Sequence, residues 1–172
     1  MHQLEIAHKD AQGALSRVVA GYCWEWDKEG RDDSSYYDIE IGDYRKSWNR
    51  DGGDPWAIDE GSIDEVGCIH TCQGLEFDYA GVIIGPDLKY RNGQIVTDHE
   101  GRASTDRSLF GVKKMLREEP EEARKIIDEV IKNTYRTLLS RGLKGCYIYC
   151  CDDQLREYLR SRLVGINGTI EA

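Results

Sequence analysis

No part of this chain holds the ~20 consecutive apolar residues that a membrane-crossing helix requires. Its first residues also lack the apolar core of a secretory signal. Nor is there a surplus of cations: 23 Lys and Arg stand against 32 Asp and Glu, a formal net charge of -9. That argues against an autonomous nucleic-acid binder, whose affinity rests on lysines and arginines meeting phosphates. A basic groove on one face stays compatible with it, because net charge says nothing of distribution. No Cys-x-x-Cys pair exists to begin a zinc site, and there is no internal repeat or low-complexity tract. These absences lead to the expectation of a soluble, cytoplasmic protein. Its 172 residues suit one domain with a full hydrophobic core.

What is present is a series of short apolar runs separated by polar turns. Residues 17–24 and 65–69 read as buried strands, as does the run from Gly81 to Gly85, and Tyr36 to Ile41 alternates like a half-buried one. Residues 42–62 read as loop, with Gly52-Gly53-Asp54-Pro55 the strongest turn signal. Leu88 to Val96 resembles a hairpin around Asn92-Gly93, and residues 98–117 read as polar and in part mobile. The clearest helix starts at Pro120 and carries Ala123, Ile126, Ile127, Val130, Ile131, Thr134, Tyr135, Leu138 and Leu139 on one face. Gly142 and Gly145 end it, Tyr147 to Cys150 make a strand, and Asp152 caps a last helix over residues 154–163. His2 to Ala14 looks like the end of a further helix stopped by Gly13. This order of elements is that of an α/β layer fold around a mainly parallel sheet.

Two constellations carry chemistry. The first is His70-Thr71-Cys72-Gln73-Gly74-Leu75-Glu76, a crowded polar turn between two buried strands. Cys68, His70 and Cys72 could be read there as metal ligands, but the six cysteines lie mostly in strand-like runs and behave as small hydrophobes. Glu76 could simply face its own helix dipole, and Gly74 could serve a backbone turn alone. The second constellation is Leu139-Ser140-Arg141-Gly142, at the end of the long helix. An arginine there either complements the negative end of the helix dipole or projects a guanidinium to stabilise phosphoryl transfer.

Taken together, the two resemble a known family. Cys68-Ile69-His70-Thr71-Cys72-Gln73-Gly74-Leu75-Glu76-Phe77 is similar to motif V of superfamily 1 helicases, T-x-H-x-x-K-G-L-E-F. Leu139-Ser140-Arg141-Gly142 is similar to motif VI, V-T-R-A, with its following strand. The phrases around Arg17 to Trp24, Trp48-Asn49, Ile69 to Leu88 and Asn133 to Asp152 resemble the schlafen-like DNA/RNA helicase family of bacterial ATP-binding proteins.

The resemblance implies a three-layer RecA-like domain of the P-loop NTPase superfamily. It would be the second of two such domains, covering residues 17–172, with residues 1–16 ending a linker helix from an upstream domain. Arg141 would be the arginine finger. Gln73, Gly74 and Glu76 would approach the nucleotide, and His70 with Thr71 would couple it to single-stranded DNA or RNA. Departures stand at Cys68 (Thr in the pattern), at Gln73 (Lys) and at Trp24, where motif IV offers an arginine.

The other half of an ATP site is missing. There is no G-x-x-x-x-G-K-[ST] phosphate loop, and no apolar strand ending in Asp-Glu for Mg²⁺ precedes motif V. ATP and Mg²⁺ would therefore be held only together with the upstream RecA-like domain. The alternative is a non-hydrolysing nucleic-acid or protein-binding module of the same fold, with Trp24, Trp26, Trp48 and Trp56 as stacking platforms or as ordinary packing. The site residues are expected on one exposed edge of the sheet, at the carboxyl ends of its strands.

Overall fold

The structure, a computed structural model, describes residues 15–27, 35–49 and 54–167. Residues 2–14, where the sequence suggests a helix, lie outside that range, as does most of the proposed linker. Six strands form one sheet in the order β2-β3-β4-β1-β5-β8: β1 (Ser16–Ala20), β2 (Ile39–Ile41), β3 (Tyr44–Trp48), β4 (Glu65–Gly67), β5 (Phe77–Ile84) and β8 (Gly142–Cys150). All neighbours are parallel except β2 and β3. A separate hairpin, β6 (Leu88–Arg91) and β7 (Gln94–Thr97), follows β5. Three helices complete the fold: α1 (Val112–Glu118), α2 (Pro120–Leu139) and α3 (Asp153–Asn167).

The apolar pattern explains the layers. Val19 of β1 and Ala80, Val82 and Ile84 of β5 share a core with Ile127, Ile131, Tyr135 and Leu138 of α2 and Leu155 of α3. Val18 and Ala20 alternate to the other face and pack with Ile83, Val66 and Trp48. Because strand side chains alternate, β1 and β5 are apolar on both sides, as interior parallel strands must be. Each fully buried Ile or Leu contributes roughly 1.5–3 kcal/mol. Pro120 stands at the start of α2, where its missing N–H costs nothing.

Several sequence expectations need correction. Residues 44–48, read as loop, are strand β3, and α1 occupies part of the polar stretch before Pro120. β5 starts at Phe77 rather than Gly81. Gly142 and Gly145 lie within β8, pairing opposite Phe77 and Tyr79, besides following the helix end. The hairpin is as expected: Asn92 and Gly93 have φ of 51° and 81°, the left-handed pair that a two-residue turn requires.

Candidate functional site

After β4 the chain makes one helix-like turn. Thr71 and Cys72 amides both donate to the Cys68 carbonyl at 3.2 Å, and Leu75 N–H donates to the Cys72 carbonyl. The Thr71 hydroxyl is used inside this turn, accepting from Cys68 N–H at 2.9 Å and donating to the Cys68 carbonyl at 3.0 Å. Cys68 and Cys72 are both buried, but in the two different cores on opposite sides of the sheet. They therefore cannot converge with His70 on one ion. No group of three or more His, Cys, Asp or Glu suited to a metal occurs among the described residues. Burial also pushes the Cys72 thiol up to about 11, as expected of an inert core cysteine.

The polar side chains of the turn face outward. His70, Gln73, Gly74 and Glu76 are exposed, and the His70 ring meets the edge of Tyr22 at 6.4 Å. Gly74 has φ +76°, and a Cβ there would meet open space. Glycine is thus favoured by backbone angle, not by crowding. Glu76 and Gln73 make no hydrogen bond or ion pair to another described residue, so their polar groups remain available.

Arg141 comes to this turn from the end of α2. Its Nε donates to the Thr137 carbonyl at 3.0 Å, Nη1 to the Leu75 carbonyl at 3.0 Å and Nη2 to Ser140 Oγ at 3.2 Å. Its own carbonyl accepts Phe77 N–H at 2.8 Å. Glu76 is thereby bracketed by Arg141 on both sides. Arg141 is half-buried and makes no ion pair among the described residues; its Thr137 contact also has the geometry of a cation capping a helix. Arg136 is turned away and bonds Asn133 Oδ1 at 2.8 Å.

Glu76 and Arg141 lie at the amino ends of β5 and β8, not at the carboxyl ends expected from the sequence, whereas His70 follows the carboxyl end of β4 and meets Tyr22. The reason is topological. Both polar segments precede a strand, and β5 and β8 run parallel with Phe77 opposite Gly142.

Sequence reasoning missed three groups near the rim. Asp78 accepts Leu15 N–H at 2.8 Å and pairs with Lys144 at 2.8 Å, tying together the starts of β1, β5 and β8. The Lys144 ammonium and the Leu15 amide hold the Asp78 carboxyl below its ordinary range. Arg17, inside an otherwise apolar strand, is 1 % exposed and donates to the Ser16 and Asp59 carbonyls at 2.7 and 2.6 Å. Its cation in an apolar run was the available signal. Of the tryptophans, Trp48 and Trp56 are core residues, leaving only Trp24 and Trp26, half-buried around Trp48, as partly accessible rings.

The carboxyl end of the sheet holds a buried polar cluster that the sequence did not reveal. Arg102 pairs with Asp87 at 3.1 Å and with Asp106 at 2.5 Å. The Tyr135 hydroxyl donates to Asp87 and accepts Gly85 N–H at 2.9 Å. Burial raises the Asp87 carboxyl above its ordinary range, opposed by the Tyr135 hydroxyl and by Arg102.

A mainly parallel six-stranded sheet with three helices is consistent with a Rossmann- or RecA-like fold. Residues 1–152 match the model of the Schlafen group 3 DNA/RNA helicase domain, and the chain belongs to that family. It is also 33% identical over 158 residues to the uncharacterized protein YPL245W of Saccharomyces cerevisiae, covering 90% of this chain. The chain spans 33% of that relative's length. No solved structure matches it significantly. No helix among the described residues is long and apolar enough to cross a membrane.

Proposed function

We propose that the chain is the second RecA-like domain of a nucleic-acid-dependent ATPase of the helicase type, residues 17–172, preceded by the end of a linker helix. It supplies motif V and the motif VI arginine finger to an ATP site completed by an upstream domain carrying the phosphate loop and the Mg²⁺ ligands. The observation that carries this reading is the bracketing of Glu76 by Arg141. On this reading the Arg141 guanidinium and the Glu76 carboxylate, which has no partner among the described residues, would meet one nucleotide from the same rim.

The residues present suit part of a nucleotide. Glu76 offers acceptors to ribose hydroxyls, Gly74 leaves room for close approach, and Gln73 offers a neutral donor. Arg141 keeps N–H groups that its three contacts do not use. Mg²⁺ would be held by the upstream domain. His70 and Thr71 would couple the site to a single strand of DNA or RNA, with the Thr71 hydroxyl acting by fixing the turn.

One observation favours the competing reading, a non-hydrolysing binding module of the same fold: each of the three Arg141 guanidinium nitrogens already makes a hydrogen bond within its own domain. A single experiment separates the two. The isolated chain should show no ATP turnover and bind ATP more weakly than about 0.1 mM, since only peripheral contacts remain. Joined to its upstream domain, it should hydrolyse ATP in a manner that depends on Arg141. Turnover by the isolated chain, or turnover of the joined protein indifferent to Arg141, overturns the proposal.

A further inference from the structure

Between the hairpin and α2 lies a segment that the nucleotide rim does not use and that gives only Val112, with the half-buried Leu109 and Leu116, to the core. Residues 107–117 read Arg-Ser-Leu-Phe-Gly-Val-Lys-Lys-Met-Leu-Arg, four cations and no acid within a chain of net charge -9. Phe110, at their centre, is 92 % exposed, more than any other large hydrophobic side chain among the described residues. Leaving a phenylalanine in water forfeits most of the roughly 1.5–3 kcal/mol that burial would contribute.

The ring is held out on both sides. Before it, Asp106 accepts from Ser108 N–H at 2.9 Å and Ser108 Oγ at 2.8 Å while locked to Arg102. After it, Val112 is buried at 6 %. Phe110 thus projects from an anchored turn.

In the same segment, Arg107, Lys113 and Arg117 are exposed and form no ion pair with another described residue; Lys114 stands 3.8 Å from Glu118. Of the acids that follow, Glu118 ends α1 beside Lys114, Glu119 caps it, and Glu121 and Glu122 are matched by Arg124 and Lys125. A cavity of about 520 Å³ opens beside Phe110 and Lys113, lined also by His99, Glu100, Ser104 and the Arg102-bound Asp106. The same loop reaches the first constellation. Ala103 N–H donates to the Tyr22 carbonyl at 3.0 Å, and the Tyr22 ring meets the His70 ring edge-on at 6.4 Å.

We infer that Phe110, with Arg107, Lys113 and Arg117, is a contact for single-stranded nucleic acid. One unpaired base stacks on the exposed ring while adjoining phosphates meet the cations. Charge selects this occupant. A protein partner docking on an apolar patch would need more than one exposed ring, whereas a lone aromatic among unpaired cations matches a stacked base between phosphates. The inference deepens the nucleic-acid side of the proposal above and places the strand on a route from His70 across Tyr22 to Phe110.

The test uses the whole chain, with fluorescein-labelled oligo-dT and oligo-rU of about twenty nucleotides, long enough for one binding site, read by anisotropy across a salt series. Phe110→Ala should weaken binding about 5- to 150-fold, the worth of one stacked base. Its thermal midpoint should stay unchanged, because the ring is exposed. Lys113→Ala should lower the salt slope by about 0.7, one phosphate on a single strand. Comparing the two oligonucleotides tells DNA from RNA.

Tyr37→Ala, an exposed aromatic elsewhere (39 %), should change nothing. Binding of neither oligonucleotide, or binding indifferent to both Phe110→Ala and Lys113→Ala, overturns the inference. Such a result leaves the Arg141-dependent ATPase reading intact. Conversely, turnover indifferent to Arg141 overturns that reading while leaving the loop contact standing.

Discussion

Arginine and carboxylate meet at both ends of this sheet, and the two ends use them in opposite ways. At the carboxyl end, Arg102 bridges two buried aspartates, and the Tyr135 hydroxyl takes another Asp87 oxygen. At the amino end, among the described residues, Arg141 bonds two carbonyls and a hydroxyl and no carboxylate, and Glu76 stands exposed with no hydrogen-bond or ion-pair partner. A charge removed from water must be matched within the protein, whereas an exposed charge can wait for a ligand. The comparison separates polar groups that hold the fold from polar groups that the fold leaves available.

The largest expected effect would break this comparison outright if it failed. In the joined two-domain protein, Arg141→Ala should lower kcat by about 10³–10⁵, the usual worth of an arginine finger. Arg141→Lys should rescue little, because an ammonium cannot span two phosphate oxygens as a planar fork does. Arg136→Ala should leave turnover intact, since that side chain points elsewhere. Steady-state hydrolysis of all three variants decides the matter, and loss with Arg136→Ala but not with Arg141→Ala would move the finger by one turn of helix.

The next effect is on stability and should rank the ends in reverse. Arg102→Met leaves Asp87 and Asp106 buried without their cation and should cost about 3–5 kcal/mol in urea unfolding of the isolated chain. Arg141→Met loses hydrogen bonds to partly exposed carbonyls and should cost about 1–2 kcal/mol. Equal costs would mean that Arg141 is as structural as Arg102, which favours the non-hydrolysing reading.

These two ends also differ in how far the sequence displayed them. The rim is built from two short contiguous runs, so its residues could be picked out before any fold was known. What the runs could not say was which end of the strands they occupy, because that follows from strand direction. The Asp87–Arg102–Asp106–Tyr135 cluster draws on positions spread over some fifty residues, and no local pattern marks them as partners. Tyr135 was legible only as one member of the apolar face of α2. Strand β3 was hidden by its composition, Tyr-Arg-Lys-Ser-Trp, which alternates weakly because β3 is only partly buried. The start of β8 was hidden by Gly142 and Gly145, whose helix-stopping chemistry masked their pairing with β5.

A smaller effect tests an ion pair that belongs to neither extreme. Arg91 grips Asp152 at 2.6 and 3.0 Å beside the first turn of α3, and this pairing holds the Asp152 carboxyl at about 2, below its ordinary 3.8. A carboxylate depressed in the folded state stabilises the protein above its unfolded pKa and loses that contribution as pH falls through the folded value. The window is therefore pH 4 down to about 2. Arg91→Ala should lower stability slightly near neutrality, as expected of a solvent-screened pair, and should flatten the fall in stability across that window. An unchanged pH profile by thermal unfolding would show that the pair contributes nothing.

The smallest effect is expected at Gln73, where the resembled motif carries lysine. Its side chain is exposed and bonds no other described residue, so Gln73→Ala should leave the stability of the isolated chain within about 0.5 kcal/mol. In the joined protein a neutral carboxamide meeting a phosphate offers about one hydrogen bond, roughly 0.5–1.5 kcal/mol, which is no more than about a tenfold change in kcat/KM. Gln73→Lys restores the cation of the motif and should tighten nucleotide binding without raising kcat, since it would act on ground state and transition state alike. If Gln73→Ala instead matched Arg141→Ala in lost turnover, charge neutralisation by Arg141 would not be what distinguishes the amino end. The rim would then act by its shape, with the turn at Gly74 as its working part.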